Sequence, residues 1–346
     1  MKETAYLQLY RRIRNDIVSG RYPHGSRLPS KRMMAESAGI SVITVEHAYA
    51  ILADEGYIEA KERSGYYVSY RERDFAPAKE SPLPIASANI HTGGGSFPFS
   101  VLSRTMRRVL LDYGERILVK SPNHGCPELR SAIAAYLARR GMKVRSEQVI
   151  VGSGAEYLYM LIAQLLPNKR FAVESPCYDK IRRVYTACGV ETESLKMGAE
   201  GIRSSELARS AAQVLHITPF HSFPTGITAT VSKRREYIDW AEKRGGYLIE
   251  DNYDSEFSVW AKGEDTVFSQ SRRVIYLNTF SGTVAPSLRA GYMVLPEELL
   301  GEFSEHLGFY SCTVPVFEQY VLTRLILSGE LERHIHRIRR KRRQRK

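Results

Sequence analysis

Residues 154 to 289 carry side chains that suit one kind of ligand: flat, anionic and nitrogen-containing. Gly154 and Ala155 stand at the start of an apolar helical stretch, where free amides and the helix dipole favour phosphate. Arg289 offers a planar fork of donors for the same anion, and Thr279 and Ser281 offer hydroxyls. Tyr178 has a ring face for stacking. Asp251 follows a short apolar run, where a carboxylate can hold the proton of a ring nitrogen, and Tyr253 comes just after it. Each also has a plain structural use: Gly-Ser-Gly is commonly only a turn, Tyr178 can be core, and Asp251 can cap the next helix.

These residues follow short apolar runs that must position them. From about residue 96, strand patterns alternate with helical ones. QVIVG leads to glycines and the helix AEYLYMLIAQLL; RFAVE leads to SPCY and another helix; VLHIT leads to PFHSFPTG, GYLIE to DNYDSEF, and RVIYL to NTFSG. A further helix is expected from Pro127, a favourable first helical residue, through Leu129, Ile133, Tyr136 and Leu137 towards Gly141. Short apolar strands separated by helices imply a mostly parallel α/β sheet covered on both faces. Ligands gather at the carboxyl ends of such strands, where every candidate residue falls.

Upstream the pattern differs. Residues 5–19 carry Tyr6, Leu9, Tyr10, Ile13 and Ile17 at helical spacing, with Gly20 placed to end the helix. The turn-rich RYPHGSRLP follows, then Ser30 can cap a short helix that runs to Ala38 and breaks at Gly39. Ser41 can cap a third helix bearing Val45, Ala48, Tyr49 and Leu52 on one face and closed by Gly56. Two helices joined by a tight glycine turn form a helix-turn-helix, and YIEAKERSGYYVS alternates around Ser64-Gly65 as a hairpin. The sum is a winged helix-turn-helix of α+β class. Arg27, Lys31, Arg32, Lys61 and Arg63 favour DNA over an adaptor role. The domains expected are residues 1–70, a linker over 71–95 rich in Pro, Ala and charge, and the sheet domain over 96–346.

Composition, 43% hydrophobic and 25% charged, is that of an ordinary soluble globular protein rather than a membrane or disulfide-stapled one. The formal net charge of +12 favours a polyanionic partner. Part of it lies in the final RHIHRIRRKRRQRK, which serves equally as a solvated helix end. Cys126, Cys177, Cys188 and Cys312 have no metal-ligand spacing and read as reduced, mostly packing thiols. No apolar run reaches the roughly 18 residues of a membrane span, and the N-terminus lacks a signal-peptide core, so a cytoplasmic location is expected.

Two resemblances rest on these motifs. GSRLPSKRMMAESAGISVITVEHAYAILADEGYI followed by SGYYV resembles the DNA-binding domain of the GntR family of bacterial repressors over about residues 5–69. It implies double-stranded operator DNA as partner and contacts from Ser30, Arg32, Ser41, Thr44 and Gly65, while Val42 stands where many members have a basic residue. GSGAEY, ESPCY, HSFPTG, EDNYDSEF and NTFSGTVAPSLRAGY resemble the fold-type I aminotransferases, and the tandem resembles the MocR subfamily of transcriptional regulators. That implies pyridoxal 5′-phosphate, with its phosphate on Gly154, Ala155 and Arg289 and the hydroxyls of Thr279 and Ser281 beside them. Tyr178 would stack on the ring, Asp251 hold its nitrogen and Tyr253 its oxygen.

Two departures shape the functional expectation. The aminotransferase loop reads T-F-S-K, and its lysine anchors the cofactor covalently; here the fourth position is Gly282. Glycine has no amine, so any cofactor is held noncovalently at most and no catalytic residue is expected. Lys233, the nearest basic residue after a site motif, has no reason to face the ring. The family also continues beyond a helix that begins near Leu331 into a small domain with a substrate-carboxylate arginine, whereas this sequence stops at Lys346. The expectation is a homodimeric DNA-binding regulator whose aminotransferase-like domain serves dimerisation and senses a vitamer or amino-acid effector. The alternatives are a pyridoxal phosphate-dependent aminotransferase and a degenerate DNA-binding remnant without ligand response.

Overall fold

Leu9, Tyr10, Ile13 and Ile17 form the buried stripe of the first helix, α1 (Ala5–Val18), in the computed structural model. The structure describes residues 4–62, 64–71, 97–252, 255–257 and 266–344; Arg63, Tyr253 and residues 72–95 of the expected linker lie outside these. The chain divides into two compact units, Met1–Ile90 and His91–Lys346.

In the first unit, α2 (Lys31–Ala38) ends at Gly39, whose φ of 64° is a left-handed conformation open to glycine. It is followed by α3 (Val42–Asp54), which buries Val45, Ala48, Tyr49 and Leu52 against α1 and α2. The wing is the antiparallel pair β1 (Ile58–Lys61) and β2 (Gly65–Val68). One expectation is corrected here. Part of RYPHGSRLP runs beside the wing as a third edge: Leu28 N–H donates to Tyr66 O at 2.9 Å, Val68 N–H to Ser26 O at 2.9 Å, and Gly25 N–H to Val68 O at 2.8 Å. Turn residues hid this, because a short edge pairing needs no alternation of its own.

The second unit begins with α4 (Phe99–Tyr113) and α5 (Pro127–Ala138). Then come β3 (Val149–Gly152), α6 (Ala155–Leu165), β4 (Phe171–Ser175), α7 (Asp179–Ala187), β5 (Thr192–Gly198), β6 (Gly201–Ile202), α8 (Ser204–Arg209) and β7 (Val214–Ile217). The chain continues through α9 (Val231–Arg244), β8 (Tyr247–Asp251), β9 (Val274–Thr279), β10 (Gly291–Val294), α10 (Glu297–His306), α11 (Val316–Leu327) and α12 (Glu330–Gln344). The eight strands lie in the order β3-β10-β9-β8-β7-β4-β5-β6. The run β9-β8-β7-β4-β5 is parallel, while β10 is antiparallel to both neighbours and β6 to β5.

Both faces are covered, as the apolar runs require. Along β3, Val149 and Val151 join the core under α5 and α11, while Ile150 points to the opposite core under α6. Tyr292 and Met293 in β10 divide the same way. The reversed β10 carries no sequence signal of its direction, because a strand buried on both faces reads alike either way.

Candidate functional site

The carboxyl ends of β3, β4, β7, β8 and β9 open onto one cavity of about 320 Å³. It is lined by Ala155 and Glu156 after β3, Tyr178 and Ile181 after β4, Thr218 and Phe223 after β7, Asp251 at the end of β8, and Thr279 and Ser281 at β9. Arg289 completes it from just before β10. The reversal of β10 is what brings this arginine in. Gly291, its first residue, pairs with Gly152 and Thr279, the last residues of β3 and β9, so the segment entering β10 lies where the parallel strands end.

Of the residues expected from sequence, Ala155, Tyr178, Asp251, Thr279, Ser281 and Arg289 line this cavity. Gly154 sits directly beside it: a Cβ there would fall 2.8 Å from Arg289 Nη2, and its φ of +95° is one that favours glycine. Tyr178 is not core; it is 38% exposed and meets Phe223 edge-on with ring centroids 6.3 Å apart.

Asp251 is buried, and among the described residues its carboxylate meets side chains rather than the amides of a helix N-terminus. Its Oδ2 accepts the Tyr159 hydroxyl and lies 3.6 Å from His216 Nε2, while His216 Nδ1 is 2.8 Å from the Tyr185 hydroxyl. Burial pushes the phenols of Tyr159 and Tyr185 well up, so both stay protonated and Tyr159 is a secure donor. Among the described residues the other carboxylate oxygen, Oδ1, is buried without a hydrogen-bond partner, as is Ser281 Oγ. A buried acceptor left unmade costs about 1–3 kcal/mol, so an orphan lining a cavity is a position at which a ligand donor would be stabilised.

The anion end is more crowded than the sequence suggests. Glu156 Oε2 is 2.7 Å from Arg289 Nη2, and its Oε1 is 2.7 Å from Lys180 Nζ. Despite the opposing effect of burial, the hydrogen bonds from Lys180, from its own backbone amide and from Arg289 bring this carboxyl down to about 2. Sequence reasoning missed Glu156, Tyr159, Ile181, Thr218, Phe223 and Lys180. Two signals were available: Glu156 in the first turn of α6, and Tyr159 one helical turn beyond Ala155 on the same face.

Among the described residues that line the cavity there is no lysine. Gly282 is an exposed turn residue next to Ser281. Lys233 is buried in the first turn of α9, where its amine donates to Ser204 Oγ at 2.9 Å and Glu236 Oε2 at 2.6 Å, away from the lining residues. In the short turn of helix Ser255–Phe257, the buried Glu256 accepts from Tyr136 Oη at 2.8 Å and Asn278 Nδ2 at 3.3 Å.

The winged unit presents its candidates differently. Ser30 Oγ accepts the Met33 amide at 3.3 Å, and Ser41 Oγ accepts the Thr44 amide at 3.1 Å, so both serines are helix N-caps. Ser41 and Thr44 hydroxyls also share a 2.8 Å bond. Arg32 is exposed. Gly65 takes φ +108°, and a Cβ there would lie 3.2 Å from Arg27 Nε, so the wing glycine makes room for an arginine. Two of the basic residues counted toward DNA are internally paired: Lys31 with Glu46 at 2.5 Å and Lys61 with Glu59 at 3.1 Å. Cys188, expected to pack, is exposed, whereas Cys126 is buried.

Comparison with known proteins matches both units. Residues 5–68 match the family "Bacterial regulatory proteins, gntR family", and residues 87–345 match "Aminotransferase class I and II". The uncharacterized HTH-type transcriptional regulator YdeL of Bacillus subtilis is 36% identical across 96% of this chain and 76% of its own length. The probable rhizopine catabolism regulatory protein MocR of Rhizobium meliloti is 28% identical across 96% of this chain and 74% of its own. A solved multiple substrate aminotransferase from Thermococcus profundus superposes with a TM-score of 0.63 at 21% identity, over 71% of this chain and 65% of that structure; at that identity it shows the fold alone. The chain belongs to the MocR-type HTH transcriptional regulators, in which a gntR-family DNA-binding domain is joined to an aminotransferase class I and II domain.

Proposed function

We propose that residues 1–70 bind operator DNA through Ser30, Arg32, Ser41, Thr44 and Gly65, that 71–95 link, and that 96–346 sense a pyridine vitamer and dimerise. Two heads of a homodimer would then read two half-sites in the cytoplasm. The observation that carries the sensing role is the buried, unpartnered Oδ1 of Asp251 in a cavity that also holds the Arg289 fork and the start of α6. Pyridoxal 5′-phosphate fits that donor and acceptor set: Asp251 would hold the ring nitrogen, Tyr178 the ring face, and Arg289, Thr279, Ser281 and the amides after Gly154 the phosphate. Tyr253 lies outside the described residues. When bound, such a cofactor supplies an electron-poor ring and an aldehyde.

Gly282 and a lining without lysine support noncovalent holding, and with it sensing in place of transamination. The test pairs purified protein with its Gly282→Lys variant in a spectral titration with pyridoxal 5′-phosphate. Saturable binding by both, with borohydride-trappable attachment at residue 282 only in the variant, is the expected result. Turnover of an amino donor by the unmodified protein would overturn the reading. The DNA half is tested by gel shift on fragments flanking its own gene; wild-type-like binding by Arg32→Ala would remove Arg32 from the interface.

A further inference from the structure

In the structure the anion end of the cavity is already satisfied by a side chain. Glu156 bridges Arg289 and Lys180, 2.7 Å from each, and bonds its own amide in the first turn of α6. Those are the features that would hold a phosphate: a guanidinium fork, an ammonium and a helix N-terminus. Lys180 is not itself a lining residue, but its amine lies 5.9 Å from the ring centroid of the lining Tyr178 and bonds the lining Glu156, so it stands at the rim of this end.

We propose that Glu156 is a built-in counter-anion which a ligand's phosphate must displace, and that Lys180 is the second cation of the phosphate clamp. This rests on the vitamer reading above and adds a selectivity rule to it. An unphosphorylated ring leaves the Glu156 bridge intact and gains nothing from the clamp. A phosphorylated ring exchanges one carboxylate for a dianion, gaining the difference between the two sets of charge-assisted bonds. Glu156 therefore sets how much phosphorylated ligand is needed to fill the site.

Calorimetry with pyridoxamine 5′-phosphate and pyridoxamine tests this, since neither carries an aldehyde to react with surface lysines. Glu156→Gln is expected to tighten the phosphorylated form about tenfold and leave pyridoxamine unchanged, and Lys180→Gln to weaken only the phosphorylated form by a similar factor. Glu156→Asp, one methylene shorter, gives an intermediate gain and guards against a folding defect in the first variant. If the wild type binds pyridoxamine 5′-phosphate and Glu156→Gln binds it equally or more weakly, the counter-anion role is wrong while the vitamer site stands. If neither wild type nor Glu156→Gln binds either compound, both readings fall. Binding that appears only in Glu156→Gln supports both.

Discussion

The two units place their candidate groups in opposite physical settings. In the winged unit the candidate hydroxyls of Ser30 and Ser41 are exposed and bonded within their own helix turns. In the sheet unit the candidate carboxylate, Asp251, is buried and joined to groups far away in sequence: Tyr159 on α6, His216 on β7 and, through His216, Tyr185 on α7. A surface meant for a large polyanion keeps its donors in water and needs only local order. A pocket meant for a small ligand removes polar groups from water and must satisfy almost all of them internally, so the few left over carry information.

That contrast can be broken by substitution. The largest effect is expected at Asp251→Ala, which strands the Tyr159 hydroxyl and removes the orphan acceptor. Stability should fall by about 1–3 kcal/mol in denaturant melts, with loss of pyridoxamine 5′-phosphate binding.

Next comes a pH dependence confined to the sheet unit. Burial raises Glu174 and Glu250 from 4.5 to about 7, although Ser222 and the Thr218 amide oppose this at Glu174 and the Phe268 amide opposes it at Glu250. The folded state therefore keeps protons that the unfolded chain releases, and stability should decline as pH rises from 4.5 to about 7. Glu250→Gln should flatten that slope, as measured by melts across the range; an unchanged slope would mean that Glu250 ionises normally.

A smaller loss, about 1 kcal/mol, is expected from Ser41→Ala, which uncaps α3 while leaving vitamer binding intact. Least costly is Arg32→Ala, within about 0.5 kcal/mol in stability, but with DNA affinity lowered and its salt dependence reduced by about one unit of slope. Equal stability losses at Asp251 and Arg32 would erase the distinction between the units.

Much of this was legible in the residues because it is local. The caps at Ser30 and Ser41 act over three residues, the glycines at 39 and 154 are required by positive φ, and each apolar run marks where its strand ends. What stayed hidden was non-local. The edge from Gly25 to Leu28 is made only by pairing with the wing, and Lys31 loses its freedom only because Glu46 stands opposite on α3.

By itself, then, the sequence determined the two architectures, the order of the motifs and the glycine at position 282, since these are properties of short windows and residue types. Only the tertiary structure decided that β10 runs backwards between two parallel strands and delivers Arg289 to the cavity. It alone decided that Glu156, 133 positions away, meets that arginine, and that one oxygen of Asp251 is taken by Tyr159 while the other is left open. Strand direction and register are set by packing across the whole sheet, and no local window contains them.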